Sequence, residues 1–161
     1  MKVGDIAIVA DLGELKVYKA APRDAEAEAG LKPDHVKLDL VNAVDYVASH
    51  WKVGDMVSDE AGQFKGGSQS RGGFTQGSVG ERHGLEQKVE AEVIAQLASD
   101  ISDAVAEHRP SKWYLALPET IYKRVLEKVA PAAKEKLFKG LEKDLVKKDK
   151  NELLELFRTK L

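Results

Sequence analysis

At 161 residues, with 43% hydrophobic and 32% charged side chains, the chain has the length of one domain able to bury a full core. Its 25 Lys+Arg against 27 Asp+Glu leave a net charge of −2, so no uniformly basic or acidic surface points to a partner. With no cysteine there is no disulfide framework, no thiolate metal site and no cysteine nucleophile, and no apolar run approaches the ~18 residues of a membrane helix.

Taken in chain order, Ile6-Ala7-Ile8-Val9-Ala10 is a short, β-branched apolar run and predicts a strand buried on both faces. Gly13 punctuates a turn, and Leu15 to Lys19 alternates, so the two segments read as a hairpin. Residues 22–33, with Pro22, Gly30 and Pro33 around an Ala/Glu stretch, predict a loop with one helical turn. Val36 to Leu40 alternates cleanly and predicts a third strand, antiparallel to one of the first two. Leu85, Val89, Val93, Leu97, Ile101 and Val105 then recur every fourth residue, which predicts one long amphipathic helix from about Glu81 to Glu107, ended by Arg109-Pro110. Trp113 to Leu117 is a further apolar strand, Pro118 opens a helix buried through Ile121, Val125 and Val129, and Pro131 limits it. Leu137 to Val146 holds the last strand, and Asn151 caps a final helix. The order β-β-β-loop-α-β-α-β-α predicts a single α/β domain over residues 1–161, a mixed sheet with flanking helices.

Between the third strand and the long helix the pattern stops. Residues 49–84 hold 9 of the 13 glycines, with few apolar anchors. Long segments of this kind inside compact domains are usually functional or disordered, and residues 62–82 read as a flexible loop. Its cations are Lys65, Arg71 and Arg82, set among Gly66, Gly67, Gly72 and Gly73. Glycines allow close backbone approach and expose N–H groups, and sparse cations suit phosphate contact without base reading. Gly62 to Gly67 has the glycine spacing of a P-loop, but Ser68-Gln69 stand where that loop needs Lys-Ser/Thr, so nothing reaches the β/γ-phosphates.

Charge is distributed unevenly. Residues 123–161 carry 12 basic and 7 acidic side chains, net +5, against −7 for the rest. Such polarity can orient a protein toward an anionic partner, although lysine-rich helices are ordinarily just solvated. His35, His50, His83 and His108 never fall at metal-ligand spacing, and no G-x-S-x-G elbow places a serine nucleophile. Asp5, Asp11, Asp39 and Asp45 flank strands; paired on adjacent strands they would bind magnesium and cut a phosphodiester, although Asp at a strand end is commonplace.

Four stretches resemble one family. Ile8-Val9-Ala10-Asp11 looks like its first strand and following Asp, and Ser58-Asp59-Glu60-Ala61-Gly62-Gln63-Phe64 like its turn before the loop. Ala116-Leu117-Pro118-Glu119 with Leu126 resembles its late strand and helix start, and Lys143-Asp144-Leu145 its last strand. The family is the bacterial host-attachment proteins, related to the middle domain of archaeal and eukaryotic peptide-release factors. In that domain a Gly-Gly-Gln loop before a long helix enters the peptidyl-transferase centre. Here Gly72-Gly73 meets Phe74, and Gly66-Gly67 meets Ser68-Gln69. The resemblance therefore implies ribosome binding without the glutamine of peptidyl-tRNA hydrolysis.

These readings converge on a cytoplasmic, non-catalytic factor for the ribosome or structured RNA, with no cofactor, no metal and no membrane partner. Lys65, Gly66, Gly67, Arg71, Gly72, Gly73 and Arg82 are its expected contacts. The alternatives are a peptidyl-tRNA or phosphodiester hydrolase, and a protein-interaction module involved in attachment.

Overall fold

The computed structural model describes residues 1–46 and 71–159, the side chains of 71–86 excepted. Five strands form one sheet: β1 (Ile6–Ala10), β2 (Glu14–Pro22), β3 (Val36–Asp45), β4 (Trp113–Ala116) and β5 (Leu137–Leu141), in the order β3-β2-β1-β4-β5. The β1–β2 hairpin is antiparallel with Ile8 opposite Val17, and β3 continues it antiparallel. By contrast, β4 and β5 run parallel to β1. The expected single α/β domain with a mixed, helix-flanked sheet is what the chain forms.

Every residue of β1 is buried because β1 lies mid-sheet between two helical layers. Ile6 and Ile8 face one core, with Trp113 and Leu115 of β4. Ala7 and Val9 face the other, with Tyr114 and Ala116. This period-two division is why a continuous apolar run was required there. The first core is closed by α2 (Arg71–His108), α3 (Glu119–Lys128) and α4 (Pro131–Glu135), and the second by α5 (Lys150–Arg158). A single turn, α1 (Ala25–Glu28), capped by Asp24, occupies the expected loop. No helix among the described residues is long and apolar enough to cross a membrane.

Several boundaries differ from expectation: β2 and β3 run on to Pro22 and Asp45, and Pro131 opens the short helix α4 as well as limiting α3. The long helix begins at Arg71, not near Glu81, so positions 71–82 of the glycine-rich segment carry helical backbone. A helix held by packing downstream propagates at one hydrogen bond per residue, which offsets the ~1 kcal/mol each glycine costs. The last strand stops at Leu141, and Lys143-Asp144-Leu145 is not strand. Leu145 and Val146 are both buried, and Val146 N–H bonds the Asp144 carboxylate at 3.3 Å, so the chain turns instead of alternating. Finally, the cap of α5 is Asp149, whose carboxylate accepts from the N–H groups of Asn151 at 2.7 Å and Glu152 at 3.1 Å. Asn151 is already inside the helix.

Both edge strands carry a register slip. Val17 opposes Asn42 while Tyr18 opposes Leu40, which leaves Val41 unmatched in β3. Trp113 opposes Leu137 while Tyr114 opposes Lys139, which leaves Phe138 unmatched in β5. Such bulges twist an edge and disfavour pairing with another sheet.

Candidate functional site

Of the residues expected to meet RNA, Lys65, Gly66 and Gly67 lie outside the described residues. Arg71, Gly72 and Gly73 form the first turn of α2, and Arg82 lies further along the same helix. At 3.6 residues per turn and 1.5 Å per residue, positions 71 and 82 stand about three turns and ~16 Å apart, at nearly the same angle about the axis. The 38 residues of α2 make a helix of ~57 Å, whereas the five of β1 cover only ~17 Å. The helix is longer than any strand of the sheet on which it packs, the ten residues of β3 covering ~34 Å.

The other half of α2 is firmly held. Its described core contacts run from Val89 to Val105. The hydroxyl of Tyr46, just past β3, donates to the Asp100 carboxylate, which also accepts from Gln96 at 2.9 Å. Burial and that carboxylate together hold the Tyr46 hydroxyl far above its ordinary ionisation range. Ser102 accepts from the N–H of Ala130 at 2.9 Å and donates to Ala98 C=O at 2.8 Å, so α2 itself caps α4. Arg124 on α3 pairs with Glu90 at 3.6 Å. The C-terminal end closes at Arg109, whose N–H reaches Val105 C=O at 2.9 Å with φ of +46°.

Two of the four strand-flanking acids are employed in the fold. Asp5 is buried and accepts from Lys2 N–H at 2.8 Å. Asp11 accepts from the N–H groups of Gly13 and Glu14 at 2.7 and 2.8 Å, which shapes the β1–β2 turn. Asp39 and Asp45 lie on β3, opposite Lys19 and Glu14. Among the described residues, the cluster of three groups able to hold a metal is Asp24, Glu26 and His35. It is accounted for otherwise: Asp24 caps α1 and meets His35 at 3.0 Å, and Glu26 pairs with Lys32 at 2.8 Å. The Ala27 N–H, more than His35, lowers the Asp24 pKa.

Several cations of the basic C-terminal region are engaged locally. Lys139 on β5 donates to the carbonyls of Leu156, Phe157 and Thr159, placing a positive charge at the negative end of α5. Lys148 pairs with Glu152 at 3.8 Å, and Lys134 reaches Glu127 C=O at 3.4 Å. An open groove of about 420 Å³ lies along α5, floored by Leu145 and Leu156 and rimmed by Lys143, Lys148, Glu152 and Glu155. Its rim mixes both signs and converges on no single point.

A family model described as "Protein required for attachment to host cells" matches residues 6–156. The chain belongs to that family. The match starts at the first residue of β1 and ends within α5, so the host-attachment family takes in the whole sheet and both helical layers. No curated protein matches the chain. Within this host-attachment domain, sequence pattern did not mark Tyr46 and Asp100, which are 54 positions apart. It did not mark Phe138 either; the adjacent apolar pair Leu137-Phe138, which breaks strand alternation, is the trace it left.

Proposed function

We propose that this host-attachment domain is a non-catalytic binder of structured RNA, with ribosomal RNA as its target. One observation carries the reading. The helix α2, whose described core contacts run from Val89 to Val105, continues as helical backbone back to Arg71, through Gly72, Gly73 and Arg82. The first turn of a helix leaves backbone N–H groups without intrahelical partners, and beside cations in the sequence such groups suit contact with an anionic surface. Lys65, Gly66 and Gly67, just before the helix in sequence, extend the same composition. The resemblance to the release-factor middle domain supports this placement of a glycine-rich segment before a long helix.

The phosphodiester-hydrolase alternative is less well supported, because Asp5 and Asp11, two of its four candidate acids, hold backbone N–H groups. The protein-interaction alternative is favoured by the family's description alone. An RNA-level role would act on attachment indirectly.

Co-sedimentation of the intact chain with ribosomes across a salt series tests the proposal. Binding is expected to weaken steeply with salt, and changing Lys65, Arg71 and Arg82 together to Gln is expected to flatten that slope. Gly72→Val with Gly73→Val is expected to weaken binding as well, because β-branched residues block close backbone approach. Association that ignores salt and survives the triple change would favour the protein-interaction reading. Single-turnover release from peptidyl-tRNA that vanishes with Gln69→Ala would establish the enzyme instead.

A further inference from the structure

The bulge in β5 leaves Phe138 without an opposite residue on β4, and its side chain is 63% exposed. Bulges often re-aim a side chain, and they are rarer in parallel pairs such as this one. The ring is backed by Tyr114 at 5.5 Å between centroids, and Tyr114 by Phe157 at 5.6 Å, so a packed aromatic row supports it from the core. The Lys112 ammonium sits 4.2 Å from the Phe138 ring centre, and the exposed Arg158 lies on the last turn of α5, within electrostatic reach of Tyr114. The N-terminal amine, which feels both Lys112 and Arg158, also feels Asp5, buried and engaged by Lys2 N–H, and Asp34.

We propose that Phe138, with Lys112 and Arg158, is a nucleotide-stacking site for a single-stranded segment of RNA. The inference rests on the RNA reading above and adds a second surface, on the opposite edge of the sheet from β3. One exposed ring with an ammonium against it, and a second cation on the last turn of the helix that meets β5 at Lys139, matches one base and its phosphates, whereas insertion into a bilayer needs several apolar side chains together. A base stacks on an aromatic ring more strongly than an exposed ammonium does, so the incoming base displaces Lys112 from the ring and Lys112 turns to the phosphate. The exposure of the ring at the sheet edge, with no residue opposite it on β4, is what keeps the platform ready.

The test uses the intact chain and fluorescein-labelled oligouridylate and oligoadenylate, followed by anisotropy over a range of salt. Phe138→Leu keeps apolar bulk but removes the stacking face, and is expected to weaken binding about fivefold or more. Phe138→Trp is expected to restore it. Lys112→Gln is expected to lower the salt slope by about 0.7, the share of one single-strand phosphate. Photo-crosslinking with 4-thiouridine-substituted RNA should mark β5 and Lys112. Unaltered affinity in Phe138→Leu, with crosslinks confined to residues 62–82, overturns this site and leaves the RNA reading standing. An intact chain that binds neither these oligonucleotides nor ribosomes overturns both. Capture by phosphatidylserine vesicles that depends on Phe138, without RNA binding, overturns the site in favour of a membrane surface. Unchanged thermal melting of Phe138→Leu verifies that the exposed ring is not holding the fold.

Discussion

The Tyr46 hydroxyl donates to the Asp100 carboxylate across 54 residues of chain, joining the end of edge strand β3 to the C-terminal half of α2. Tyr46 is 5% exposed and its backbone N–H bonds Gly13 C=O at 2.7 Å, so the tyrosine ties the helix, the β1–β2 turn and β3 together. A hydrogen bond to a charged acceptor at a buried site contributes ~1.5–3 kcal/mol. Tyr46→Phe is expected to destabilise the domain by about that amount in urea melts. In a double-mutant cycle with Asp100→Ala, most of the loss should be shared between the two positions. Additive effects would show that the pair is incidental.

All four tyrosines titrate above their ordinary range, and burial is the largest cause at each: Tyr18, Tyr46, Tyr114, which is pushed up to about 12, and Tyr122. A raised pKa in the folded state means that the fold holds the phenol proton more tightly than the unfolded chain does. That contribution is complete below about pH 10 and is lost as pH rises through the folded values. Stability should therefore fall in alkali, by up to ~1.4 kcal/mol per pH unit for each tyrosine involved. Tyrosinate absorbance should develop together with loss of far-ultraviolet dichroism. Reversible ionisation of all four near pH 10 in a folded protein would contradict the burial.

Arg109 is the non-glycine residue with positive φ among the described residues, +46°, and it is exposed. It closes the C-terminus of α2 in the left-handed conformation common just past helix ends, and the buried Pro110 that follows keeps the helix from continuing. An L side chain in that region costs ~1–2 kcal/mol, part of which glycine gives back through its unfolded-state entropy. Arg109→Gly is expected to raise stability by up to about 1 kcal/mol, read as an increase in melting temperature. A decrease would mean that the guanidinium has a stabilising contact of its own.

Gly140 in β5 is required for a different reason. A Cβ there would lie 1.7 Å from the Tyr122 hydroxyl oxygen and 2.7 Å from the ring carbon that bears it. Gly140→Ala is expected to cost ~1–3 kcal/mol by overpacking. Tyr122→Leu alone should also destabilise, yet in the Gly140→Ala background it should recover part of the loss. Failure of that rescue would place the strain in the strand backbone.

The amino-acid pattern alone determined which segments are strands and which are helices wherever burial has a period. The run from Ile6 to Ala10 and the four-residue recurrence from Leu85 to Val105 admit few other readings, because each matches a surface that must be covered. It also pointed to the unusual glycine content before α2, and to the family that matches residues 6–156. The tertiary structure decided what depends on distant partners. The start of α2 at Arg71 opposes local glycine propensity, since a helix rooted in a core can extend through residues that would not nucleate one. The slips that expel Val41 and Phe138 arise from matching one strand to its neighbour, and no single strand's alternation records its neighbour's register. The Tyr46–Asp100 bond and the capping of α4 by Ser102 join residues tens of positions apart. Hydrophobic burial acts residue by residue and leaves a period in the chain, whereas hydrogen-bond partnership is set only when the packed elements bring two polar groups within about 3 Å.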